Sequence, residues 1–127
     1  GRYNAYSHQG LNAYDLAGSD AGIDYVYATC DLECVGILPY ASTGFANTIM
    51  WYDAENDITI ALTHCNDISR YYQGMKVHPS EVIYSDGTTG RASGNHVHIE
   101  IGRQKQRSKV NINGTWQLKD LVNIEDY

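Results

Sequence analysis

A chain of 127 residues, 43% of them hydrophobic, can bury one core of ordinary size and has no room for a second, so residues 1–127 read as a single compact domain. Eleven Tyr, twelve Gly and two Pro, with recurrent Thr, Ile and Val, favour pleated strands joined by turns and predict an all-β or β-dominated fold built of antiparallel sheets. The formal net charge of −6 excludes the basic face that nucleic-acid phosphates require, and no stretch approaches the roughly 18 apolar residues of a membrane span.

The N-terminus lacks the charged, apolar and small-residue pattern of a secretion signal, so the sequence reads as a domain excised from a larger protein or as one exported by another route. Residues 24–29, with Tyr25, Val26 and Tyr27, read as a strand. Residues 34–38 read as its hairpin partner, with Asp31-Leu32-Glu33 as the turn. Across such a tip Cys30 and Cys34 would face each other and could bridge. The competing reading is three reduced and partly buried thiols, Cys65 being the third.

Residues 47–52 and 58–63 are two apolar runs separated by the polar patch Asp53-Ala54-Glu55-Asn56-Asp57, the pattern of a second hairpin. Residues 81–84 form another short strand, followed by the turn-rich Ser85-Asp86-Gly87-Thr88-Thr89-Gly90. In residues 95–101 apolar Val97, Ile99 and Ile101 alternate with His96, His98 and Glu100. Beyond Gly102, residues 103–109 read as an exposed polar loop. Residues 119–127 read as a short amphipathic helix with Leu121, Val122 and Ile124 on its apolar side.

The strongest chemical signal is Gly94-Asn95-His96-Val97-His98-Ile99-Glu100. Two histidines at i and i+2 on a strand project from the same face and share one site. Imidazole is a common zinc ligand, and a catalytic zinc keeps three protein ligands with one open position. His8 begins a run that reaches Asp15, whose carboxylate would partly neutralise a divalent cation. His64 closes the apolar run 58–63, at a strand end from which a side chain can reach a groove. His78, before Pro79, reads as a solvated turn residue. Glu100 reads as lying at the edge of the site, and most of the tyrosines as strand and surface residues, with Tyr14 or Tyr84 as candidates to line a groove.

In this order the motifs resemble the lysostaphin-type, or LytM-like, zinc metallopeptidases. The resemblance runs from about residue 7 to residue 102. It includes Val26-Tyr27-Ala28, residues 44–50, His64, Gly74-Met75-Lys76-Val77, the turn at residues 85–90 and the His96-Val97-His98 strand. It implies that His8, Asp15 and His98 bind Zn2+ and that His64 and His96 assist catalysis. The metal site would then lie at the floor of a groove. The family's common first motif is His-x3-Asp, whereas six residues separate His8 from Asp15, a spacing that resembles members carried by phage tails and virions. Asp20 and Asp24 are the alternative carboxylates if the register differs.

On that resemblance the zinc lowers the pKa of a bound water and polarises the scissile carbonyl, while His96 or His64 takes the proton and the other supports the oxyanion. No H-E-x-x-H helix occurs, which excludes a thermolysin-like glutamate base. The implied substrate is peptidoglycan peptide, with other domains or subunits of a phage tail as partners and a virion or extracellular, wall-associated location. The competing functions are a LytM-like module without metal that activates another wall hydrolase, and a tail domain that binds wall polymer without cutting it.

Overall fold

A computed structural model of the chain describes residues 2–4, 13–17, 25–39, 47–85 and 96–122. The strands are β1 (Arg2–Asn4), β2 (Ala13–Ala17), β3 (Tyr25–Tyr27), β4 (Leu32–Leu38), β5 (Thr48–Asp53), β6 (Ile58–Thr63), β7 (Lys76–Val77), β8 (Val82–Ser85), β9 (His96–Arg103), β10 (Val110–Ile112) and β11 (Thr115–Gln117). One turn of 3-10 helix, Ile68–Arg70, is the only helix among the described residues. The fold is strand-dominated, as the composition predicts.

Six strands form the main sheet in the order β2-β9-β6-β5-β4-β7, all neighbours antiparallel. β6 lies near its middle, and all six of its residues are buried. That explains why Ile58-Thr59-Ile60-Ala61-Leu62-Thr63 is apolar with small threonines rather than strictly alternating: both faces of the strand are covered. The predicted hairpin of residues 47–63 is β5 and β6. Its turn is organised by buried Asp53, whose Oδ1 accepts from the backbone N–H of Glu55 and Asn56 at 3.0 and 3.2 Å. This is an Asx-type closure of the chain onto a short polar side chain.

One face of the sheet carries Ile49, Trp51, Ile58, Ile60, Leu62, Ile99 and Ile101. These pack with Val26, Ile83 and Tyr84 from a three-stranded sheet in the order β1-β3-β8. The Trp51 indole N–H donates to Ile83 O across the two layers at 3.0 Å. This layering overturns the first predicted hairpin. β3 pairs with β1 and β8, whereas β4 pairs with β5 and β7. Residues 28–31 are thus a crossover between sheets, pinned where Ala28 donates to Glu81 O and accepts from Ser80 N–H, both at 2.8 Å. Cys30 and Cys34 do not face across a tip, and Cys30, Cys34 and Cys65 form no disulfide. Cys34 is fully buried, and its thiol is pushed up to about 11, first by burial.

The opposite face carries a smaller cluster of Val35, Met50, Ala61 and Leu118, flanked by Leu38, Tyr52 and Leu121. The segment after β9 covers it. Residues 104–109 form the expected loop, mostly exposed, with two polar anchors turned inward: Gln106 is 6% exposed and the Lys109 side chain 7%. Residues 110–117 form the β10–β11 hairpin. Its turn residues Asn113 and Gly114 have φ of 54° and 86°, the Asn-Gly signature of a two-residue hairpin. Over residues 119–122 the backbone is not helical. Arg103 N–H donates to Asp120 O, Val122 N–H donates to Ile101 O, and Leu121 bridges Gly102. Pairing with the edge of β9 that β2 leaves open satisfies these groups where the helix was predicted. Residues 123–127 lie outside the described residues.

Candidate active site

β9 organises the site. Its neighbours set Asp15 of β2 and Thr63 of β6 directly opposite His98, one on each side. Asp15, His98 and Thr63 therefore occupy one row across three strands. Two residues away on β9, His96 stands opposite Ala17, and Glu100 stands opposite Ala13 and Ala61. The side chains of His98 and Glu100 lie on one face of β9, while Ile99 and Ile101 enter the core from the other.

His64 follows Thr63 at the end of the same row, half-buried, with φ of 72°. A left-handed residue ends the pleat, so alternation no longer dictates the direction of its side chain. The bend is held from beneath. The hydroxyl of fully buried Tyr84 lies 2.8 Å from Thr63 O and 3.0 Å from His64 O, Cys65 N–H donates to Asn47 O, and Asn66 N–H donates to Ser85 O. Tyr84 thus supports the loop that carries His64 and does not line a groove.

His98 is partly exposed, its side chain at 30%, and its Nε2 lies 3.1 Å from Glu100 Oε2. Glu100 is buried at 4%, inside the cluster rather than at its edge. Its Oε1 accepts from Leu118 N–H at 2.9 Å, and its Oε2 is 3.5 Å from Lys109 Nζ. Lys109 Nζ also donates to Thr63 Oγ1 at 3.2 Å, and Thr63 Oγ1 lies 3.4 Å from Thr48 Oγ1. Burial opposes the charge on Glu100. The hydrogen bond to His98, the Lys109 cation and the Leu118 N–H outweigh it and hold the carboxyl below its ordinary value.

Of the predicted site residues, Asp15, His98 and His64 thus fall in or beside one row, with His96 one pleat further along β9. His8 lies outside the described residues, as do residues 86–95 with the predicted turn. Glu100 and Lys109 were not predicted to take part. Glu100 had a signal, since alternation already put it on the face of His96 and His98. Lys109 had none, because only the long return of the chain brings it back to β6 and β9. His78 is solvent-exposed at the far side of the sheet, with its Nδ1 2.9 Å from Asp31 Oδ1. Both residues line an open cavity of about 280 Å³ with Glu33, Tyr52 and Lys76, away from β9.

Among the described residues no group of three or more His, Cys, Asp or Glu side chains stands ready to hold a metal ion. What the described residues offer a cation is one imidazole, that of His98, with a ring nitrogen engaged by a carboxylate, the usual support of a metal-bound histidine, and Asp15 at the register position opposite it.

The fold is similar to that of a solved zinc-containing peptidase. A crystal structure of such an enzyme from Vibrio cholerae superposes with a TM-score of 0.61 at 20% sequence identity, over 89% of this chain and 29% of that one. In sequence the chain is 29% identical over 105 residues to Morphogenesis protein 1 of Bacillus phage B103, an alignment covering 80% of this chain and 28% of that protein. The chain therefore spans less than a third of the length of each of these proteins. No protein-family model matches it. No helix among the described residues is long and apolar enough to cross a membrane.

Proposed function

We propose that this domain is a zinc-dependent endopeptidase that hydrolyses peptide bonds of bacterial peptidoglycan as part of a phage tail or virion. The observation that carries this reading is the row Asp15, His98 and Thr63, with His64 at its end. It is supported by the shared fold with a zinc-containing peptidase and by the similarity to a phage morphogenesis protein. The order of motifs, which resembles lysostaphin-type enzymes, adds the substrate class.

In this reading His8, Asp15 and His98 hold Zn2+. When bound, zinc supplies Lewis acidity to the scissile carbonyl and makes a neighbouring water acidic enough to attack near neutral pH. The imidazoles of His96 and His64 provide the proton acceptor for that water and a hydrogen-bond donor to the developing oxyanion. The left-handed bend at residue 64, braced by Tyr84, holds one of these two groups on a rigid support.

Purified protein is expected to retain about one zinc per chain and to release soluble peptides from purified cell wall, identified by mass spectrometry. His98→Ala should lose both properties, and His64→Ala should keep the zinc but lose the hydrolysis. Wild-type protein that holds no metal and releases nothing from the wall would leave the wall-binding or activating module as the correct reading.

A further inference from the structure

Behind His98 stands a group of buried contacts that the peptidase reading does not use. Glu100 sits two residues along the same strand, 4% exposed, and meets three donors: His98 Nε2 at 3.1 Å, Lys109 Nζ at 3.5 Å and Leu118 N–H at 2.9 Å. Lys109 and Leu118 flank the β10–β11 hairpin, so both ends of that hairpin converge on one carboxylate. A buried lysine is rare and needs a partner. Here it finds one in Glu100 and a second in Thr63, the residue opposite His98 on β6.

We propose that Glu100 is a positioning residue that fixes His98 as the Nε2–H tautomer, and that Lys109, brought in by the segment after β9, clamps Glu100 in place. This rests on the reading of His98 as a metal ligand. An imidazole has two nitrogens, and the hydrogen bond made by one decides which atom carries the lone pair. With Nε2–H donating to Glu100 Oε2, the lone pair is on Nδ1. That atom is then the ligating one, and the carboxylate makes it a better donor while holding the ring orientation. Lys109 keeps the carboxylate from swinging away and offsets its buried charge. The segment after β9 is on this account a built-in part of the metal site.

The test uses the intact chain and two readouts. Long-range proton–nitrogen NMR of the zinc-free protein should find His98 protonated at Nε2 with a pyridine-type Nδ1. In Glu100→Gln three donors compete for one oxygen, and the same spectrum should show mixed tautomers. Zinc affinity, measured by competition with a chromogenic chelator, should fall about 10- to 100-fold in Glu100→Gln and in Lys109→Met. Lys109→Arg, which keeps the charge, should recover most of that loss.

An Nδ1–H tautomer in the wild type overturns the proposal, even if Lys109→Met fails to fold. So does wild-type zinc affinity in both Glu100→Gln and Lys109→Met. Wild-type protein that holds no zinc sinks the metalloenzyme reading instead, and the tautomer of His98 in that same protein still decides whether Glu100 orients it.

Discussion

Tyr71 is 5% exposed and meets Trp51 edge-on with ring centroids 5.8 Å apart, yet its hydroxyl has no hydrogen-bond partner among the described residues. A buried and unpaired hydroxyl forfeits its hydration for nothing. Tyr71→Phe keeps the ring contact and removes that group, so it should stabilise the domain by about 1 kcal/mol in urea unfolding; a loss of similar size would mean that ordered water satisfies the hydroxyl. His78 tests the opposite situation, an ion pair in full solvent. The hydrogen bond to Asp31 and then the attraction of its charge raise the His78 pKa above its ordinary value. A raised folded-state pKa means that any stabilisation is complete below the unfolded value and is lost as pH rises through the folded one. An NMR titration should therefore find His78 above an ordinary histidine, and Asp31→Asn or high salt should bring it back down.

The elements most legible in the chain were those whose signal is local. The β5–β6 hairpin follows from two apolar runs around an Asx-rich turn, and β9 follows from its alternation, which also put His96, His98 and Glu100 on one face. The β3–β4 relation was not legible, because two strands five residues apart look the same whether they pair or part into different sheets. In the segment after β9 the exposed loop was legible but its anchoring was not, because the residues that hold it down are polar. Gln106 donates from Nε2 to Arg103 O and Lys119 O at 2.8 Å, accepts from Lys119 N–H at 2.9 Å, and donates its own N–H to Thr59 Oγ1 at 2.9 Å. Composition assigns such a residue to a loop surface. The clamp also needs Gly102, since a Cβ there would lie 2.5 Å from both Lys119 O and Gln106 Nε2. Gly102→Ala should therefore destabilise the domain by about 1–3 kcal/mol, as overpacking does. Thermal unfolding would show it, and an unchanged midpoint would mean that the returning segment does not lie this close to β9.

For the molecule as a whole, the same segment joins stability to the candidate site. It closes the second face of the sheet with Leu118 against Met50 and Ala61, adds Val122 to the main core, and delivers Lys109 and the Leu118 N–H to Glu100. Burying Leu118 and Val122 contributes roughly 1.5–3 kcal/mol each. Those contributions are a large part of the whole stability of a small domain, about 5–15 kcal/mol, and the hydrogen bonds of Glu100 and Gln106 to the same segment are lost with it. A chain ending at residue 103 keeps every strand of the six-stranded sheet, and should nonetheless show no cooperative unfolding transition by far-ultraviolet circular dichroism. Leu118→Ala in the full chain should lose about 2–5 kcal/mol and still unfold cooperatively, because Lys109 and the Leu118 backbone N–H remain. A truncated chain that melts cooperatively near the wild-type midpoint would show that the six-stranded sheet with its β1-β3-β8 layer is a folding unit by itself, and that the returning segment serves the site alone.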